Sequence, residues 1–147
     1  MLCTQVIEPS KVSRDLSIRL YSPNKVLVAA ILGGIAGGCV LHWLNLKALN
    51  YDQKANQTFV WSVILFVILP VFSLVTHISL TGGSGAIAAG YMMDAKRTYG
   101  DVYKNHAEQQ GKVGGWLATI GISLASLVIS VVIIFSISLL IALAVYR

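Results

Sequence analysis

Charge is what this sequence withholds. No Asp, Glu, Lys or Arg falls within residues 26–46, 55–93 or 113–146, and each stretch reaches the ~20 residues that cross the hydrocarbon core of a bilayer. Charged residues are 12% of the chain and hydrophobic ones 56%, with a mean hydropathy of +0.73, whereas soluble domains are about a quarter charged. The expected solvent is lipid. The two cysteines, Cys3 and Cys39, make no disulfide framework and imply no oxidising compartment. The net charge of +5 comes from eleven basic residues scattered between the apolar stretches. They form no basic stripe interleaved with aromatics, so nucleic acid is not an expected partner. Lys and Arg beside apolar spans suit anionic head groups and the insertion machinery instead. A cleaved signal peptide is not expected either, because the first apolar run starts only at Val26 and lacks a small-residue cleavage pattern behind a short core. Cys3 has neither a lipobox nor a myristoylation glycine before it.

What is present predicts an all-α integral membrane protein: a polar segment at 1–24, then one membrane domain at 25–146. Within it we expect three transmembrane helices, at about 25–46, 58–80 and 115–146, and one amphipathic cytoplasmic or interfacial helix at about 86–110. "YSPNKV" is a helix start, with Ser22 as N-cap and Pro23 at the first helical position. Pro70 in mid-span is expected to kink the second helix. The third span is about thirty residues without a proline, roughly 45 Å of helix, so it must tilt or project.

The amphipathic segment has two stripes. Ile87, Tyr91, Ala95, Tyr99 and Val102 or Tyr103 recur at helical spacing, while Asp94, Arg97, Asp101, Lys104 and Glu108 form a second stripe of alternating sign expected to face water. With three spans, the N-terminal segment and second loop share a side and hold eight Lys/Arg; the first loop and C-terminus hold three. The positive-inside rule then puts the N-terminus and the amphipathic helix in the cytoplasm, and the C-terminus in the periplasm or outside. His42 falls toward the outer leaflet and His77 toward the inner one.

Candidate chemistry is sparse. Ser84 in "GGSGA" resembles the Gly-x-Ser of rhomboid-type intramembrane proteases, but His77 lies upstream on the preceding span and three spans fall short of that fold. The residues read as a helix stop, and no enzyme is expected. The three histidines diverge in this topology and no cysteine pair joins them, so neither metal nor cofactor is expected. No span carries an ionisable residue of the kind coupled transport needs. Ser123, Ser126, Ser130, Ser136 and Ser138 could line an oligomeric pore, but such serines more often pack or satisfy the carbonyl one turn back. "NQT" at 56–58 abuts the second span and reads as a helix cap.

The first span keeps four glycines in "LGGIAGG", each costing ~1 kcal/mol against alanine. On a straight helix they make two small-residue ridges, Ala29, Gly33, Gly37 and Ala30, Gly34, Gly38, along one face. In lipid, close approach across small residues supplies the packing. Gly121 with Ala125, and Ser126 with Ser130, offer matching surfaces on the third span. The contact is therefore internal or with a second chain.

Residues 21–49 resemble a group of small uncharacterised bacterial membrane proteins that open with Ser-Pro, then a span carrying Leu-Gly-Gly-x-x-Ala-Gly, then Asn and Ala-Leu. The matching positions are Ser22, Pro23, Leu32, Gly33, Gly34, Ala36, Gly37, Asn45, Ala48 and Leu49. Ile35 stands where that pattern often has proline, which argues against a built-in break. The resemblance implies a bacterial inner-membrane protein and no activity. The leading expectation is a non-enzymatic scaffold or accessory subunit whose partners are the bilayer and either a second copy or another membrane protein. A small oligomeric channel and an immunity protein against a membrane-targeting toxin are the alternatives.

Overall fold

The computed structural model describes residues 16–76 and 83–145. Cys3, His77 and Arg147 lie outside these, and the side chains of Pro70, Ser84 and Ser138 are likewise outside the description. Four helices follow in order: α1 (Pro23–Ala48), α2 (Asp52–Thr76), α3 (Gly83–Glu108) and α4 (Trp116–Val145). Among the described residues there is no strand, only an isolated parallel bridge between Leu20 and Val113. The fold is all-α. Among the described residues two helical stretches, not three, could cross a membrane by length and composition: Pro23–Ala48 and Trp116–Ile137. α2 is not among them, and its first turns are polar.

Helix α1 starts as its residues dictate. Ser22 is extended and its hydroxyl accepts from the Lys25 amide at 3.3 Å, with Pro23 in the first turn. It does not continue as one rod. Gly34 sits at φ 63°, ψ −155°, a conformation essentially reserved for glycine, and the chain doubles back there. The Tyr21 amide donates to Asn45 Oδ1 at 2.8 Å across 24 positions that a straight helix would hold about 36 Å apart. A Cβ on Gly37 would overlap the Ala29 carbonyl oxygen, and one on Gly38 would lie 2.7 Å from the Ala30 Cβ. These pairs would be about 12 Å apart on a straight helix. α1 is therefore a hairpin with arms 23–33 and 35–48. This corrects two expectations: the helix unbroken through Ile35, and the two ridges along one face. The small residues face one another across the hairpin because only they let the arms close.

The other helices pack on this hairpin, and every close backbone contact between described helices involves α1. α4 runs beside the first arm in the same direction: the Lys25 ammonium bonds the Gly114 carbonyl and lies 5.3 Å from the Trp116 ring, and Gly33 meets the Ser123 backbone. α3 runs beside the second arm, Gly38 against Tyr91 and Asn45 against Tyr99. α2 returns antiparallel to that arm, with Lys54 bonded to Asp94 and Ser62 to Tyr91. A strap at 16–22 closes the hairpin's open end through Leu20 N to Lys112 O at 3.1 Å and Gly114 N to Leu20 O at 2.7 Å.

The molecule consequently has two ends. At the base lie the strap, the 49–51 turn, the charged half of α3 and the start of α4. Toward the bend lie residue 34, α2 beyond Ser62 and α4 beyond Ser123. Arg19, Lys25, Lys47, Lys54, Lys96, Arg97, Lys104 and Lys112 all belong to the base, so the expected separation of the 47–54 loop from the amphipathic helix is overturned. Exposed apolar side chains lie on the flanks and toward the bend, Ile31 and Leu32 on α1, 59–68 on α2 and most of α4, and also at the base, where Leu16, Val113, Trp116 and Leu117 are exposed.

Candidate functional site

α4 buries the wrong chemistry for a helix in water. Among its described residues the buried side chains are Thr119, Ser123, Ser126 and Ser130, while Leu124, Leu127, Val128, Ile129 and Val131 are exposed. The spacing of four, three and four puts the hydroxyls on one face. Three of the four turn back on their own chain one turn earlier: Thr119 donates to Gly115 O at 3.2 Å, Ser123 to Thr119 O and Ser130 to Ser126 O, both at 2.7 Å.

Of the expected contact residues, Ala29, Ala30, Gly33, Gly37 and Gly38 are buried within the chain, and Gly34 forms the bend. A Cβ on Gly33 would lie 2.7 Å from the Ser123 carbonyl oxygen. Ser126 and Ser130 are buried on α4. Gly121 and Ala125 are not in the contact: both are exposed, and a Cβ on Gly121 would meet nothing within 4 Å. They fall on another face of the helix from Thr119 and Ser123. Ser123 is the residue whose backbone approaches Gly33 and Gly37 of α1.

A polar cluster forms at the base, where the second arm meets α2 and α3. Positions 38, 42 and 45 of the arm share the face toward α3, which brings Asp94 and Tyr99 to His42. His42 is fully buried. Its Nε2 lies 2.9 Å from Asp94 Oδ2, and Nδ1 3.2 Å from the Tyr99 hydroxyl. The carboxylate can only accept, so Nε2 carries a hydrogen; with the imidazole neutral, Nδ1 then accepts from the Tyr99 hydroxyl. The Tyr99 oxygen in turn accepts from Asn45 Nδ2 at 2.8 Å, and the same amide group donates to the Tyr21 carbonyl. Asn45 thus pairs with the Tyr21 backbone as a neighbouring strand would. Lys54 completes the cluster, donating to Asp94 Oδ1 at 2.9 Å and to Thr98.

The hydrogen bond from His42 holds the Asp94 carboxyl well below the usual carboxylate range; Lys54 adds to this and partial burial opposes it. Burial pushes the Tyr99 hydroxyl up. Among the described residues no buried side-chain nitrogen or oxygen lacks a partner, and no three His, Cys, Asp or Glu side chains converge as metal ligands would. With both His42 nitrogens engaged, the cluster's geometry suits locking three elements together.

By sequence pattern alone Asp94 belongs to the stripe expected to face water and His42 to the opposite leaflet. The available signal was Asp94 itself, the first charge after 39 uncharged positions (residues 55–93) and next to the apolar stripe. Between α2 and α3 the splayed backbones leave an open groove of about 370 Å³, with Lys54 and Asp94 at one end and Leu65 and Ile87 at the other. No family model matches the chain, and no curated protein or solved structure is similar to it at a significant level.

Proposed function

We propose that this chain is a non-enzymatic integral protein of the bacterial inner membrane, acting as a scaffold or accessory subunit. One observation carries the membrane reading: α4 buries hydroxyls and exposes Leu, Ile and Val, the reverse of the order water imposes and the order helix packing in lipid favours. The exposed flank of α2, from Phe59 to Ile68, has the same character.

In this reading the expected three simple crossings become a different topology. The arms of α1, eleven and fourteen residues, are about 16 and 21 Å long against a hydrocarbon core of ~30 Å, so the hairpin enters from the base and returns. α2 and α3 enter and return as well. α4, thirty residues and about 45 Å long, crosses. All eight described Lys and Arg residues are at the base, which the positive-inside rule assigns to the cytoplasm. The resemblance of residues 21–49 to small bacterial membrane proteins supports the same compartment. The scaffold reading rests on a saturated polar cluster that holds elements together, and on α4, whose exposed faces are open to lipid, a second copy or another membrane protein.

Two experiments test this. Single cysteines at 47 and 104, in a chain lacking the native cysteines, should be labelled by a membrane-impermeant maleimide from the same side in oriented vesicles. Labelling from opposite sides would restore three crossings and defeat the folded-back topology. Cross-linking in native membranes should then capture a second copy or a membrane protein through α4, and a chain that stays uncross-linked at every exposed α4 position is no scaffold.

A further inference from the structure

The groove between α2 and α3 has a wall that the fold leaves empty. Gly90 lines it from α3, and a side chain added there would meet no atom within 4 Å. A glycine inside a helix costs ~1 kcal/mol against alanine. At Gly33 and Gly38 a close neighbour offsets that cost; at Gly90, as at Gly85 and Gly121, no described residue occupies the space.

The lining changes character in one direction. Lys54 and Asp94 stand at the base end, Gln57 and Thr58 follow one turn on, the Ser62 and Tyr91 hydroxyls come next, bonded to each other, and Trp61, Leu65 and Ile87 form the far end. From Lys54 to Leu65 this is about 16 Å of helix. A phospholipid has the same order of chemistry, from phosphate through ester groups to hydrocarbon. Lys54 spends two of its three donors on Asp94 and Thr98 and has one more to offer. The far end borders the exposed apolar flank of α2, including Val60, Ile64 and Ile68, so a chain can enter sideways. About 370 Å³ falls in the range of small-molecule sites, roughly 300–1,000 Å³.

We infer that this groove holds one acyl chain of a phospholipid, with its phosphate on the Lys54 ammonium and its hydrocarbon against Trp61, Leu65 and Ile87. The site rests on the membrane reading above. The lipid's ester carbonyls meet Gln57 and Thr58, and the empty wall at Gly90 gives the chain its room.

The full-length protein, taken from membranes into mild detergent and exchanged against dioleoyl phosphatidylglycerol, should carry one phospholipid by native mass spectrometry. Gly90→Leu fills the groove and should lower occupancy at least tenfold, with thermal stability unchanged or raised. Gly85→Leu alters another exposed glycine of the same helix, also without a neighbour within 4 Å, and should keep wild-type occupancy. Lys54→Met should lower retention of phosphatidylglycerol, and excess inorganic phosphate should not displace it. In a chain whose only tryptophan is Trp61, brominated phosphatidylglycerol should quench fluorescence more in wild type than in Gly90→Leu. Brominated fatty acid at equal concentration should quench less than the phospholipid. Wild-type occupancy in Gly90→Leu, or no bound lipid on a chain that resists alkaline extraction from membranes, would overturn the site. A chain that alkaline buffer washes off would overturn the membrane reading itself.

Discussion

Gly34 and Gly121 are both open to substitution by space alone, since neither has an atom within 4 Å of a new Cβ. Backbone conformation separates them. Gly34→Ala places a Cβ at φ 63° and should cost about 1–3 kcal/mol, whereas Gly121→Ala, on the exposed face of α4, should raise stability by up to ~1 kcal/mol. Unfolding titrations of the two variants should move in opposite directions. The Asp94 carboxyl gives a second prediction at this scale. Its folded-state proton affinity is depressed, so its contribution is complete above the ordinary carboxylate value, about 3.9, and is lost as pH falls below it. Thermal midpoints should drop between pH 6 and pH 3, and Asp94→Asn should lower the pH 6 value while flattening that drop. An unchanged slope in the variant would remove Asp94 as the group responsible.

At the scale of the element, α4 shows how a helix with almost uniform hydrophobicity acquires an inside. Its buried face is set by where Gly33 allows the Ser123 backbone to approach, and not by an apolar stripe. Leucine at 123 must push α4 away from the hairpin, at an expected cost of about 1–3 kcal/mol or more, while leucine at exposed 125 should change stability by less than ~0.5 kcal/mol. Equal effects from Ser123→Leu and Ala125→Leu would mean that the two faces are not distinguished. α3 was legible in more detail. Tyr91, Ala95, Tyr99, Val102 and Tyr103 do turn to the core and Arg97, Asp101, Lys104 and Glu108 to the outside, because alternating charge and apolar spacing leave a helix only one way to lie. Asp94 departed from its stripe because a buried imidazole and a lysine on two other elements reached it.

For the whole molecule, the question is which solvent the exposed apolar surface meets. Val128 is 61% exposed, so arginine there would be nearly neutral in water. In a bilayer near the helix centre it should cost about 2.5–3.5 kcal/mol. Val128→Arg should therefore reduce the yield in the membrane fraction, while Lys104→Gln at the base should leave it unchanged. A soluble and stable Val128→Arg protein would contradict the proposed setting.

Local chemistry determined the helices of this protein, the Ser22–Pro23 start, the two faces of α3 and the fact that the glycines mark a contact. Each of these is decided by residues within a few turns of one another. Tertiary structure decided which glycine bends, and through that which ends of the chain meet. Gly33, Gly34, Gly37 and Gly38 are alike in local propensity, and only the closure of Ala29 and Ala30 on Gly37 and Gly38, with Asn45 bonded to Tyr21, selects Gly34 for the positive φ. His42 and Asp94, 52 positions apart, follow from that one reversal, which no periodicity can encode because it is the energy of contacts formed after the chain has turned.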